Sequence, residues 1–398
     1  MPFVVSNQTR IFWRTDGDAA KPALLLSNSL GCDHAMWSPV MPMLLPHFYV
    51  IRYDVRGHGA SDVPAATSEN YNFAQLGRDA LAVADAAGVK SFLFAGLSMG
   101  GGVGQWLGAH AAGRVTRLAL LNTAAVFDAA GFDARIALIR AGGMAVVTDV
   151  VMQRFMGEGE PSQPAHLRDR KATVRDTLLR LDPEGYIGCC VALRDISASG
   201  GLIAQNAAIS VPTLVVSGEK DLSTTPEKGQ ALAASIKGAV YVELPGCAHL
   251  SSMQMPVELC NALLPFLLYG SPANALSDDA RFERGIAERK HMLGAKYVED
   301  RMKHSPAYAQ PFQEFITRYA WGDLWQRPGL DERTRRIVVL ATCIALGRWE
   351  EFVLHTRAGL ANELDPAELR EVIMQAAIYA GVPAANTAMK EVLGLMKS

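Results

Sequence analysis

SFLFAGLSMGGGVGQWLGA, residues 91–109, carries the residues that decide the fold. Phe92-Leu93-Phe94-Ala95 is an apolar run of strand length. Gly96-Leu97-Ser98-Met99-Gly100 follows at once, before a helix-like stretch that begins at Gly101. A serine between a buried strand and a helix stands on a sharp turn, and Gly96 and Gly100 leave room for the neighbouring backbone to approach. Ser98 is therefore the expected nucleophile. The start of the helix leaves backbone N–H groups without intrahelical acceptors, and that of Met99 is the first candidate donor to an oxyanion.

Upstream, Ile11-Phe12-Trp13-Arg14 alternates like an early strand, and Ala23-Leu24-Leu25-Leu26 is a short apolar strand. It ends in Ser27-Asn28-Ser29-Leu30-Gly31, a turn of small and polar residues. On this architecture that loop supplies the second oxyanion donor, so the N–H of Leu30 is expected to join that of Met99; the alternative is a plain strand-end turn. Residues 48–53 form another strand, followed by the polar, Gly-rich DVRGHGASD at 54–62. Asp54 and His58 are assigned to loop structure, because they precede the serine and a better placed acid and base come later. Residues 73–87 have helical spacing, so strand-helix-strand units imply a parallel sheet.

Downstream, Leu118-Ala119-Leu120-Leu121-Asn122 is the next strand, after which the alternation lapses until about residue 208. Helical segments at 134–139 and 146–155 and a breaker-rich passage at 157–164 suggest an inserted helical cap, about 125–208, over the serine. Arg135 and Tyr186 are the substrate-binding candidates there, against the alternatives of a solvated arginine and a core tyrosine. A strand pattern returns at 211–218, followed by Glu219-Lys220-Asp221, and again at 239–244, followed by Pro245-Gly246-Cys247-Ala248-His249. Ser98, Asp221 and His249 stand in the chain order of the α/β-hydrolase triad, with Glu219 as the alternative acid. In such a triad the histidine takes the serine proton while the carboxylate fixes its tautomer, which makes acyl transfer to water the expected chemistry.

After residue 269 strand patterns stop. The expected boundaries are a hydrolase domain at 1–269, a linker at 270–278 and an all-α domain at 279–398. In the last, Asp331 is placed to cap a helix running to Leu346, residues 350–360 form a second, and Pro366 opens a third that ends near Gly381-Val382-Pro383. Arg333 and Arg336 fall on one helix face and could hold a carboxylate, and His355 with Glu351 one turn before it could pass a proton. The alternatives are solvated arginines and a packed histidine. So small a unit with several apolar stripes buries them best by self-association.

Composition narrows the class. The chain has 398 residues, 49% hydrophobic and 20% charged, with a net charge of −2 that points to neither a nucleic-acid nor a membrane partner. Neither a leader-like N-terminus nor a run long enough to span a bilayer is evident, so a cytoplasmic protein is expected. Six cysteines without a C-x-x-C pair fit reduced thiols rather than disulfides or a zinc site.

Residues 1 to about 268 resemble the 3-oxoadipate enol-lactonases of the α/β-hydrolase superfamily through LLLSNSLG, DVRGHGASD, AGLSMGG, SGEKDLSTTP and the final histidine segment. From about 280 onward the chain resembles the 4-carboxymuconolactone decarboxylases through FERGIAERKHMLG, RYAWGDLWQRPGLDERTRR, ALGRWEEFVLH and QAAIYAGVPAAN. The expected fold class is thus α/β, an α/β-hydrolase fold with a helical cap followed by a small all-α domain. The resemblance implies two consecutive steps of the protocatechuate branch of the β-ketoadipate pathway, on small-molecule lactones. It implies no metal or cofactor, since the lactone carbonyl can take up the electrons released with carbon dioxide. It also implies a homo-oligomer. The alternative is an esterase of other specificity with a non-catalytic C-terminal oligomerisation domain.

Overall fold

The computed structural model describes residues 2–157, 164–270, 278–327 and 329–396. The chain forms two compact units, 1–272 and 273–398. Residues 271–277 of the expected linker, and 158–163 of the breaker-rich passage in the cap, lie outside the described residues.

Among its described residues the first unit has eight strands: β1 (Phe3–Ser6), β2 (Thr9–Asp16), β3 (Ala23–Ser27), β4 (Tyr49–Tyr53), β5 (Phe92–Leu97), β6 (Val115–Leu121), β7 (Thr213–Gly218) and β8 (Val240–Leu244). They lie in the order β1-β2-β4-β3-β5-β6-β7-β8. From β4 to β8 every pairing is parallel, and only the N-terminal pairings of β1 with β2 and β2 with β4 are antiparallel. Every residue of β5 and β7 is buried, as expected of central strands covered on both faces, and FLFA of β5 and LVV of β7 are unbroken apolar runs for that reason. Sequence alternation suggested one early strand at 11–14, but the structure has a hairpin. Its two turn residues, Asn7 and Gln8, both have positive φ (46° and 61°), the conformation that lets a two-residue turn follow the strand twist. Gln is an uncommon residue there, which is why the turn is hard to read.

Helices α1 (Phe73–Ala86) and α2 (Met99–His110) precede and follow β5. Between β6 and β7 lie α3 (Ala129–Gly142), α4 (Ala145–Met156), α5 (Ala165–Arg180) and α6 (Pro183–Ala198), followed by a short helix at Ile203–Asn206. α7 (Pro226–Ala234) and α8 (Pro256–Tyr269) complete the unit.

The polar loop after β4 is tied into the first unit by its own side chains. The Asp54 carboxylate accepts from the N–H groups of His34 (2.8 Å) and Ala60 (2.9 Å). The Arg56 guanidinium, wholly buried, meets both oxygens of Asp79 at 2.6 and 2.7 Å. Removing one partner of such a pair strands the other charge away from water. Asp79→Ala is therefore expected to lower the stability of this unit by about 3 to 5 kcal/mol in a denaturant titration. A loss under about 1 kcal/mol, as for a surface ion pair, would contradict this.

The second unit is helical throughout its described residues: α9 (Asp278–Leu293), α10 (Ala295–Lys303), α11 (Gln310–Ile316), α12 (Glu332–Leu346), α13 (Trp349–Asn362), α14 (Pro366–Tyr379) and α15 (Val382–Leu395). A π-turn at Thr317–Trp321 follows α11, and a β-carbon at Gly285 of α9 would lie 2.0 Å from the Thr317 carbonyl oxygen. Only glycine lets α9 approach so closely. Asp331 caps α12, accepting from the Thr334 N–H at 2.6 Å. The helix opened by Pro366 ends at Tyr379. Gly381 (φ 97°) and Pro383 then begin a further helix, where sequence alone suggested an end, because proline fits the first turn of a helix as well as the space after one. Among the described residues no helix is long and apolar enough to cross a membrane.

Candidate active sites

In the first unit Ser98 caps α2 with φ 58° and ψ −114°, a strained conformation for a residue with a β-carbon. The turn is possible because glycines stand two residues to either side. A β-carbon at Gly96 would lie 2.1 Å from the Gly100 carbonyl oxygen, and one at Gly100 would lie 2.2 Å from that of Ser27. The Ser98 N–H donates to the Leu121 carbonyl (2.8 Å), and its own carbonyl accepts from Thr123 Oγ1 (2.7 Å). Met99 opens the helix, so its N–H has no acceptor within it.

His249 and Asp221 meet through Nδ1 and Oδ2 at 2.8 Å, both buried. The same carboxylate accepts from the Ser223 N–H, the Thr224 N–H and hydroxyl, and the Asn122 amide at 2.8 to 3.2 Å. Burial pushes Asp221 up, but the His249 ring and the Thr224 donors outweigh it and hold the carboxyl below its usual value. An ionised Asp221 keeps the Nδ1 proton on His249 and leaves Nε2 free to take a proton. Glu219, the alternative acid, is turned away and accepts from the Gly246 N–H.

Ser98, His249 and Leu30 line one narrow cavity of about 70 Å³, with Phe127, Arg135 and Arg154. The Leu30 loop is pinned on both sides. The Asn28 side chain donates to the Tyr53 carbonyl (2.8 Å) and accepts from Trp37 Nε1 (2.9 Å). The Gly31 N–H donates to His58 Nε2 (2.9 Å). Burial lowers His58 to about 4, which keeps it neutral and able to accept that bond. Of the two residues expected to bind substrate in the cap, Arg135 lines the cavity. Tyr186 does not: it is fully buried, and its hydroxyl accepts from Arg135 Nη1 (3.2 Å). Its part is to hold the arginine. The sequence reading missed Phe155, whose ring stacks on His249 at 5.4 Å, and Arg154 beside it, at the end of a helix with no distinguishing motif.

The second unit contains a cavity of about 710 Å³ lined by His355, Glu351, Arg289, Trp321 and residues of α9 to α11 and α13. His355 lies under Trp321 and Trp325, nearly parallel to both at 6.2 and 6.0 Å. Arg336 Nη1 donates to His355 Nδ1 at 2.7 Å. A guanidinium can only donate, so the neutral ring carries its proton on Nε2. Burial, with the Arg336 charge adding to it, lowers His355 to about 4.

Two sequence expectations need correction here. Arg336 is not available to a ligand: it is wholly buried, with Nε on Glu363 (2.7 Å), Nη1 on His355 and Nη2 on the Met292 carbonyl (2.6 Å). Arg333 is exposed, pairs with Glu368 and does not line the cavity. Helical spacing put both on one face but could not show that one turns inward and the other to solvent. Arg289, Trp321 and Trp325 were missed. Their signal was the aromatic pair four residues apart in RYAWGDLWQ and an arginine amid the apolar spacing of FERGIAERKHML.

The pattern of the alpha/beta hydrolase fold family matches residues 22–256, and that of the carboxymuconolactone decarboxylase family matches 310–393. Over 252 residues the chain is 34% identical to 3-oxoadipate enol-lactonase 2 of Acinetobacter baylyi, covering 63% of this chain and 90% of the relative. Over 114 residues it is 41% identical to 4-carboxymuconolactone decarboxylase of the same organism, covering 29% of this chain and 85% of the relative. Among solved structures the enol-lactonase from Burkholderia xenovorans LB400 matches with a TM-score of 0.57 and 38% identity, covering 63% of this chain and 93% of the other.

Proposed function

Because the chain belongs to the alpha/beta hydrolase fold family over its first unit and to the carboxymuconolactone decarboxylase family over its second, we propose that it is a bifunctional enzyme with two consecutive activities. The second unit decarboxylates 4-carboxymuconolactone to 3-oxoadipate enol-lactone, and the first hydrolyses that product to 3-oxoadipate. The observation that carries this reading is that each unit, matched to a different enzyme, has its own cavity lined by groups suited to that enzyme's chemistry.

In the second unit the carbon–carboxylate bond breaks to release carbon dioxide, and the electron pair moves through the ring double bond onto the lactone carbonyl oxygen. The Nε2–H of neutral His355 donates a hydrogen bond to that oxygen as charge develops, with Arg336 fixing the tautomer from behind. A neutral imidazole in this role spares the site a buried imidazolium. Glu351, one turn earlier and on the same cavity wall, relays a proton from solvent to the ring carbon α to the carbonyl.

In the first unit Ser98 attacks the lactone carbonyl as His249 takes its proton, and the N–H groups of Leu30 and Met99 receive the oxyanion. His249 returns the proton to the departing enol oxygen, which becomes the ketone. Water then releases the acyl group by the same route. Arg135, oriented by Tyr186, holds the free carboxylate of the enol-lactone.

The His355 value fixes a pH dependence. Its folded value of about 4 lies below the ordinary 6.5, so its contribution to stability is complete above about 6.5 and is lost as the pH falls towards 4. Decarboxylation is expected to keep its rate from about pH 8 down to about pH 5. A limb in kcat centred near 6.5 would show an ordinary, protonatable histidine instead.

The chain self-associates through its second unit, in the cytoplasm. Tyr308, Phe312, Leu346, Ile378 and Tyr379 of that unit are all more than half exposed, which favours a covering partner, and all six cysteines are free thiols. Sedimentation at micromolar concentration should show an oligomer; a monomer contradicts this point. The two activities are tested by supplying carboxymuconolactone and enol-lactone separately. Hydrolysis of the second without carbon dioxide from the first would leave the helical unit a passenger.

A further inference from the structure

The carboxylate bookkeeping of the proposed reactions leaves one group unassigned in the second unit. 3-Oxoadipate has two carboxylates, and opening the lactone creates only one of them. The other is present throughout, so the decarboxylase substrate carries two: one that leaves and one that stays on a side arm. The leaving carboxylate gives up its negative charge as its bond breaks, so a cation held against it would stabilise the ground state more than the transition state. It belongs against an apolar wall, such as Leu293, Ile316, Val353 and Leu354 provide. The retained carboxylate keeps its charge and needs a cation.

We propose that Arg289 binds the carboxylate the substrate retains, and that it thereby sets the orientation in which the other carboxylate is lost. The inference rests on the decarboxylase reading above. Arg289 lines the cavity and is only 4% exposed, yet among the described residues its hydrogen-bond partners are all neutral: Gln313 Oε1 (2.9 Å), Thr317 Oγ1 (3.1 Å) and Met302 Sδ (3.8 Å). Its Nε is buried and has no acceptor among the described residues. Of the other four buried arginines among the described residues, Arg52, Arg56 and Arg336 each meet a carboxylate at 2.6 to 2.7 Å, while Arg284, which does not line the cavity, donates to the Gly322 carbonyl. A buried guanidinium without an anion is costly, and here it faces a space of the size a small lactone requires. Burial draws Arg289 below its usual value, with Tyr297 opposing it and the neighbouring Arg301 acting in the same sense as burial, so an arriving anion relieves the net cost. The π-turn contributes directly, since Thr317, its first residue, holds one arm of the fork. Functional sites often use such turns to place a group that a regular helix would misalign.

The test uses full-length protein and a butenolide acetate that lacks the leaving carboxylate, together with its methyl ester, as inhibitors of carbon dioxide release. In wild type the acid should bind more tightly than the ester. Arg289→Gln should weaken the acid by about 10- to 100-fold and leave the ester within about twofold, with Arg289→Lys between the two for the acid. Loss of both inhibitors together would mark a structural role only, and no change in either would remove Arg289 from the site; each result overturns the proposal. If wild type releases no carbon dioxide, the decarboxylase reading fails first. Calorimetric titration of the acid and ester into Ser98→Ala, with and without Arg289→Gln, then judges the arginine on binding alone.

Discussion

Ser98→Ala is expected to abolish hydrolysis of the enol-lactone, by about a million-fold in kcat, while carbon dioxide release from carboxymuconolactone continues at the wild-type rate. The size of the loss follows from how the site is built. Ser98 can stand at φ 58° because Gly96 and Gly100 let the neighbouring backbone close in, and His249 is held by an Asp221 that accepts hydrogen bonds from residues of three loops. With the nucleophile gone the remaining groups have nothing to activate, and only the oxyanion donors and binding persist. The enol-lactone should therefore accumulate, and its slow uncatalysed opening sets the residual rate. Parallel loss of both reactions would mean that the two cavities are not independent.

The second large effect concerns His355. His355→Ala should lower decarboxylation by about 100- to 10,000-fold and leave hydrolysis of supplied enol-lactone unchanged. Part of this change is structural, because Arg336 Nη1 loses its acceptor inside the unit, at a cost of about 1 to 3 kcal/mol. His355→Gln separates the two effects. A glutamine can accept from Arg336 and still offer an N–H to the cavity, so it should restore stability more fully than rate. If it also restores the full rate, an amide serves as well as the imidazole and the special position of Nε2–H is not needed.

The hydrolase core was legible because its signals are local. A buried strand, a serine between glycines and a helix must occur in that order for the turn to close, and Asp221 and His249 follow on the loops after β7 and β8. The cap residues were less legible. Arg135 and Tyr186 stand 51 positions apart and meet at 3.2 Å, and only the fold shows that the first lines the cavity while the second is buried behind it. The second unit shows the limit most clearly. Arg333 and Arg336 have the same chemistry and share a helix face by spacing, yet one lies in solvent and the other is wholly enclosed. Depth is a property of packing, which helical periodicity does not encode. Arg289 cannot be told from a solvated arginine by its helical spacing, and the neutral character of its partners among the described residues is seen only once its neighbours are known.

The central claim is that one chain carries out both reactions in order. Purified wild-type protein should be given carboxymuconolactone and followed by NMR. The lactone should disappear, enol-lactone should rise and fall, and 3-oxoadipate should accumulate in equal amount to the carbon dioxide released. Unchanged carboxymuconolactone in the presence of protein that still opens enol-lactone would contradict it.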